Sequence, residues 1–134
     1  MDWSFLLSHH PPAAAGDRCF RVGPLRLCAR CSGLFPALLA GLLVQRLLPL
    51  TASRWDLPVE LALILPALWD HARSVANPKA GSNPIRAFTG QLLGLGLSRV
   101  AVVGHVEGFG AEAFLLPVVL SGCFVLAPRL WPRA

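Results

Sequence analysis

The stretch SGLFPALLAGLLVQRLLPL, residues 32–50, decides how the rest of the chain is read. Only Gln45 and Arg46 break its Leu- and Ala-rich run. Crossing roughly 30 Å of hydrocarbon takes about 20 mostly apolar residues, and this stretch approaches that length. Three further apolar segments follow. Residues 57–69 are short and contain Pro66, which suggests a kink or a thinned bilayer. Residues 84–104 carry Gly90, Gly94 and Gly96, suited to close helix packing. Residues 111–128 complete the series. The whole chain of 134 residues is 54% hydrophobic and 14% charged, with a mean hydropathy of +0.58. A soluble domain carries about 25% charged residues, and a disordered tail is far less apolar. The expected fold is therefore an all-α, small polytopic membrane bundle of about four transmembrane helices over residues 32–134. An arm of residues 1–31 precedes it. The competing arrangement has two spans, with the second and fourth segments interfacial or buried.

Upstream of the bundle, the apolar start Trp3-Ser4-Phe5-Leu6-Leu7 ends in His9-His10-Pro11-Pro12, and four arginines follow. A secretory signal needs a basic start, a longer apolar core and a small-residue cleavage site, so the arm is not expected to be one. Basic residues orient the spans. With four crossings, Arg18, Arg21, Arg26, Arg30, Arg73, Lys79, Arg86, Arg129 and Arg133 share one side. Arg46, Arg54 and Arg99 lie on the other. This asymmetry places both termini in the cytoplasm, with the protein multi-pass in the inner (cytoplasmic) membrane. The net charge of +5 then reflects topology. No basic stripe interleaved with aromatics points to nucleic acid. On the far side, Asp56, Glu60, Glu107 and Glu112 are available to pair with Arg46 and Arg99.

Chemistry concentrates on the cytoplasmic side. Cys28 and Cys31 have the two-residue spacing that lets two sulfurs face one tetrahedral metal, and Cys19 lies close upstream. Cys123, in the last apolar segment, reads as a small buried residue. A reducing compartment disfavours a permanent disulfide, so metal binding or thiol redox work is the better reading. His9 supplies imidazole, with His10 beside it, a donor set suited to zinc, with iron as the alternative. The pair also sits where the first span begins. There the helix N-terminus, Arg26 and Arg30 are expected to favour thiolate. The bland alternative is two small residues in a tight turn before Gly33.

A second group begins with Asp70, expected at the end of the second span. The helix dipole is unfavourable to an acid there, so Asp70 needs a metal, an arginine or a proton. His71 is its neighbour. In the turn-rich loop that follows, Asn83 and Pro84 form helix-start grammar. Arg86 in the first turn suggests an anion site. Asn83, Arg86 and Gly90 share a face by their spacings of three and four. Thr89, a turn later on the same helix, joins Asn83 and Arg86 as a candidate anion-binding residue. The bland alternatives are capping for Asn83 and headgroup anchoring for Arg86. Gln91 is expected to look into the bundle. By the odd–even order of spans, both groups meet at one end.

At these residues the chain resembles the prokaryotic membrane family called domain of unknown function 2085. The likeness rests on His9, Arg18-Cys19-Phe20, Leu27-Cys28-Ala29-Arg30-Cys31-Ser32-Gly33, Asp70, and Asn83-x-x-Arg86-x-x-Thr89-Gly90, over about residues 8–100. Ser8 stands where the family has its first cysteine, and Cys19 where it usually has serine. The resemblance implies a site at His9, Cys28, Cys31 and Asp70, and it implies no particular reaction.

The leading expectation is a metal site with ligands His9, Cys28 and Cys31, completed by Cys19 or Asp70. If the metal keeps an open position, the protein would be a metal-dependent enzyme with Asp70 and Arg86 catalytic. Its substrate would be a lipid-like or anionic, membrane-associated molecule held by Asn83, Arg86 and Thr89. If the site is closed, the protein is an accessory subunit with a structural metal. Thiol redox exchange through Cys28 and Cys31 is the second class, and a carrier working as a homo-oligomer the third. No Ser-His-Asp arrangement, phosphate-binding glycine loop or nucleotide fingerprint is present.

Overall fold

The computed structural model describes residues 18–23, 25–48, 51, 53–77 and 81–107. Among them are two short strands and three helices: β1 (Cys19–Val22), β2 (Leu25–Cys28), α1 (Ala29–Leu47), α2 (Asp56–Ala76) and α3 (Asn83–Glu107). The helical class agrees with the sequence, and the helices run up, down and up. Three of the four expected segments are covered. Residues 111–128 lie outside the described residues, as does Cys123. By length and hydropathy one described helix, over Asn83–Val106, suffices to cross a membrane, so the expected set of four spans is not supported among the described residues.

The antiparallel hairpin of β1 and β2 was not expected in the arm. Gly23, at a φ of 60°, turns the chain, a conformation that costs glycine nothing and other residues strain. The register pairs Cys19 with Cys28 and Arg21 with Arg26. Two strands alone are marginal in water, so the hairpin depends on its mounting. β2 passes into α1 without a loop, and Ala29 at the junction is fully buried.

Helix α3 is central and packs on both α1 and α2. Its contact with α1 is backbone to backbone. A Cβ on Gly90 would run into the carbonyl of Arg30, and one on Gly33 into the carbonyl of Ala87. The glycines of α3 thus do what the sequence suggested. Ile64, Ala67 and Leu93 form a small apolar centre between α2 and α3.

Polarity is distributed the opposite way from a soluble protein. Phe35, Leu39, Leu43 and Leu47, one helical turn apart, lie exposed along α1, and Leu57, Leu61, Leu65 and Trp69 do the same on α2. Facing inward are Gln45, Glu60, Asp70, Ser74, Arg86, Thr89 and Ser98. Contiguous apolar surface over a polar interior is stable where the surroundings are hydrocarbon. Gln91, by contrast, is exposed, and Gln45 is the glutamine that turns inward.

At the far end of the bundle, Arg99 grips Asp56 with two parallel contacts, Nε to Oδ1 at 3.1 Å and Nη2 to Oδ2 at 2.9 Å. This fork joins α3 to the first turn of α2. Gln45 joins it, its Oε1 accepting from Arg99 Nη1 at 3.3 Å. The expected pairing of Arg99 with a far-side acid is thus present, while Arg46 stays exposed.

Candidate functional site

The site forms at the other end, where the hairpin, the start of α1, the last turns of α2 and the start of α3 meet. Cys19 and Cys28 occupy facing positions of the hairpin and are both buried. Cys31, in the first turn of α1, hydrogen-bonds with Cys28. For Cys31 the expected drift toward thiolate is reversed. Burial, then the neighbouring Cys28, push the Cys31 thiol up to about 11, and Arg30 offsets only part of this. Among the described residues, no three His, Cys, Asp or Glu side chains are grouped closely enough to hold a metal ion. His9 and His10 lie outside the described residues.

Asp70 is not at a helix end. Helix α2 continues to Ala76, so the dipole argument for a partner does not apply. Burial supplies the reason instead: Asp70 is 7% exposed, and a carboxylate removed from water needs a counter-charge. That counter-charge is Arg30, whose Nη2 forms an ion pair with Asp70 Oδ2. Arg30 Nη1 also reaches His71 Nδ1 at 3.2 Å. A guanidinium only donates, so Nδ1 accepts and the ring proton sits on Nε2. Burial and Arg30 both lower the His71 pKa, keeping this tautomer neutral. Arg18 lies on the same side, with Nη2 3.5 Å from the carbonyl of Ser74. Its charge also disfavours protonation of His71.

Asn83 stands inside α3 as its first residue, the preceding Ser82 supplying the carbonyl to Arg86 N–H, so the expected capping role does not fall to it. Its Nδ2 donates to the Cys19 carbonyl at 3.2 Å, and its Oδ1 accepts from Arg86 Nη1 at 3.3 Å. One amide thus ties the cysteine hairpin to α3. Arg86 is 5% exposed, which excludes a headgroup anchor reaching out to the interface. Gly81 lies against both Asp70 and Arg86: a Cβ there would be 3.4 Å from Asp70 Oδ1 and 3.8 Å from Arg86 Nη2. Thr89 turns back on its own helix, its hydroxyl donating to the Arg86 carbonyl at 3.2 Å, so that proton is not offered to an anion.

The fold therefore brings together Cys19, Cys28, Cys31, Asp70, Asn83 and Arg86, with Thr89 one turn behind them. Sequence reasoning missed Arg30 as the partner of Asp70. Its position between the two cysteines drew attention to the thiols. The position itself was the available signal, since an arginine in the first turn of a helix opposes the dipole and needs a reason to be there.

Over residues 15–100 the chain matches the family model described as "Predicted membrane protein (DUF2085)". The chain belongs to this family. The match spans the hairpin and all three described site elements, while His9 precedes it. Membership of a DUF2085 membrane protein agrees with the apolar exterior and polar interior of the bundle. No curated protein and no solved structure is detectably similar to the chain.

Proposed function

We propose that the protein is a multi-pass inner-membrane protein with both termini in the cytoplasm. Its cytoplasmic end would carry a thiolate–imidazole zinc site beside a basic pocket for an anionic, membrane-associated substrate. One observation supports the metal above all. Cys28 pairs with Cys19 in the hairpin register and hydrogen-bonds with Cys31, so the fold carries all three cysteines, on three different elements, to one end of the bundle. The donor chemistry fits zinc. Burial and the neighbouring Cys28 push the Cys31 thiol up, and a divalent ion would supply the positive charge that favours its thiolate. Three described sulfurs do not close a site by themselves, and His9 is the fourth donor in this reading. Asp70, held by Arg30, is left out of the ligand set. When bound, zinc would supply Lewis acidity.

Support for the anion comes from the charge count of the pocket. Arg18, Arg30 and Arg86 surround one acid, Asp70, and His71 is held neutral. Arg30 Nε is also buried without a hydrogen-bond partner among the described residues. A buried N–H without an acceptor costs about 1–3 kcal/mol, which an anion's oxygen would recover. In this reading Arg86 and Arg30 bind the anion and Asp70 positions Arg30. Thiol redox exchange is the weaker alternative, because an attacking thiol at neutral pH needs a lowered pKa and that of Cys31 is raised.

Metal analysis of protein purified in detergent under anaerobic, reducing conditions tests the proposal. About one zinc per chain is expected, falling to near zero in Cys28→Ser. Wild-type protein free of stoichiometric metal would overturn the zinc site. A Cys19–Cys28 or Cys28–Cys31 disulfide found by mass spectrometry in the same sample would favour redox work instead.

A further inference from the structure

A second region with unused chemistry lies at the opposite end of the bundle. There the last turns of α1 and α3 line a cavity of about 880 Å³. Ligand sites commonly measure about 300–1,000 Å³, so this space suits a sizeable molecule. Leu42, Leu43, Val102 and Val106 form much of its wall, and Arg46 and His105 also line it. Gln45 borders the space but is already engaged with Ser98 and Arg99. Among the acids of this end whose side chains are described, Asp56 is taken up by the Arg99 fork and Glu60 is buried on α2, while Glu107 ends α3. Arg46 and His105 are both exposed.

We propose that this groove binds a phospholipid with an anionic headgroup, one acyl chain lying between Leu43 and Val106 and the phosphate held by Arg46 and His105. Two independent properties select this occupant. The apolar walls disfavour a free hydrated anion, which gains nothing from leucine and valine surfaces. Arg46 on the rim favours an anionic over a zwitterionic head, with His105 beside it as a hydrogen-bonding ring. Arg46 stands in the last turn of α1, where the helix dipole also favours a cation and fixes the charge at that depth. The site is separate from the cysteine end and does not depend on metal there.

Native mass spectrometry of the full chain in mild detergent, titrated with phosphatidylglycerol or phosphatidylcholine, tests this. Wild type is expected to retain phosphatidylglycerol at least about tenfold better than phosphatidylcholine, since a fixed charge contact contributes about 1.4 kcal/mol or more. Arg46→Gln combined with His105→Gln, both at exposed positions, should abolish that preference. Val102→Trp should block binding of both lipids by filling the groove, and Leu43→Trp is a second filling variant on an exposed position. Inorganic phosphate at millimolar concentration should not compete. Equal retention of both lipids by wild type would overturn the proposal, as would an unchanged preference in the charge variant. Competition by free phosphate would reassign the groove to a simple anion. Undiminished binding in the filled variants would move the lipid elsewhere on the apolar exterior.

Discussion

At the level of single residues, the bundle places charges where they are expensive and then compensates them one by one. Asp70 is the clearest case: its carboxylate is buried, and Arg30 is its ion-pair partner. Arg30 in turn leans on His71, so one guanidinium holds both the acid and the tautomer of the neighbouring ring. Removing one member of a buried pair leaves an uncompensated charge, which typically costs about 3–5 kcal/mol. Arg30 keeps some contact with water, with a side chain 19% exposed, so the low end applies. Asp70→Asn is expected to destabilise the protein by about 3 kcal/mol in a denaturant titration in detergent. The double change Asp70→Leu with Arg30→Met should recover much of that loss, because two apolar residues leave nothing unpaired. A single variant as stable as wild type would show that Arg30 has another partner of equal value.

Between elements, the decisive contact is the glycine seam of α1 and α3. Gly33 and Gly90 let the helices meet at their backbones, which fixes where Arg30 and Arg86 stand relative to each other. A methyl group at Gly90 would meet main chain, which cannot rotate away. Alanine normally strengthens a helix by about 1 kcal/mol over glycine. At this position the clash outweighs that gain, and overpacking of this kind costs about 1–3 kcal/mol. Gly90→Ala is therefore expected to lower the unfolding midpoint, whereas Leu39→Ala on the exposed face of α1 should shift it by less than about 0.5 kcal/mol. A stabilised Gly90→Ala protein would mean that the helices stand further apart. The hairpin is the second inter-element device. It carries Cys19 to Cys28, and the amide of Asn83 secures it to α3. Its turn signal, Gly23-Pro24 between short runs of alternating residues, was present in the sequence. The arm reads there as a motif carrier because the cysteines and arginines dominate its composition.

For the molecule as a whole, the inverted polarity accounts for the composition. Exposed stripes of leucine and aromatic residues on α1 and α2 surround an interior of Gln45, Glu60, Asp70, Arg86 and Ser98. In water such a surface would aggregate, and in a bilayer it is the solvated surface. The protein is expected to remain with the membrane pellet through alkaline carbonate extraction and to leave it only in detergent. Release by carbonate alone would mean peripheral attachment. The two polar ends also separate tasks. The Arg99–Asp56 fork closes the end that bears the lipid groove, and the cysteine and arginine cluster forms the other.

How much of this was legible beforehand differs by scale. The apolar runs and their spacing determine the helical class and the approximate places of α1, α2 and α3, because burying or exposing backbone in hydrocarbon demands helices of that length. The seam glycines and the clustering of cysteines, Asp70 and Asn83–Arg86 at one end follow from the same up, down and up order of helices. Three things waited on the tertiary structure. Helix α2 runs past Trp69 to Ala76, since Asp70 and Ser74 turn inward to partners instead of ending the helix. Asp70 pairs with Arg30 of a different helix, and Cys19 faces Cys28 only because Gly23 folds the arm back. Periodicity along a chain specifies which face of an element is apolar. Which charge meets which, and whether a thiol is pushed up or down, depends on distances between elements that no single segment contains.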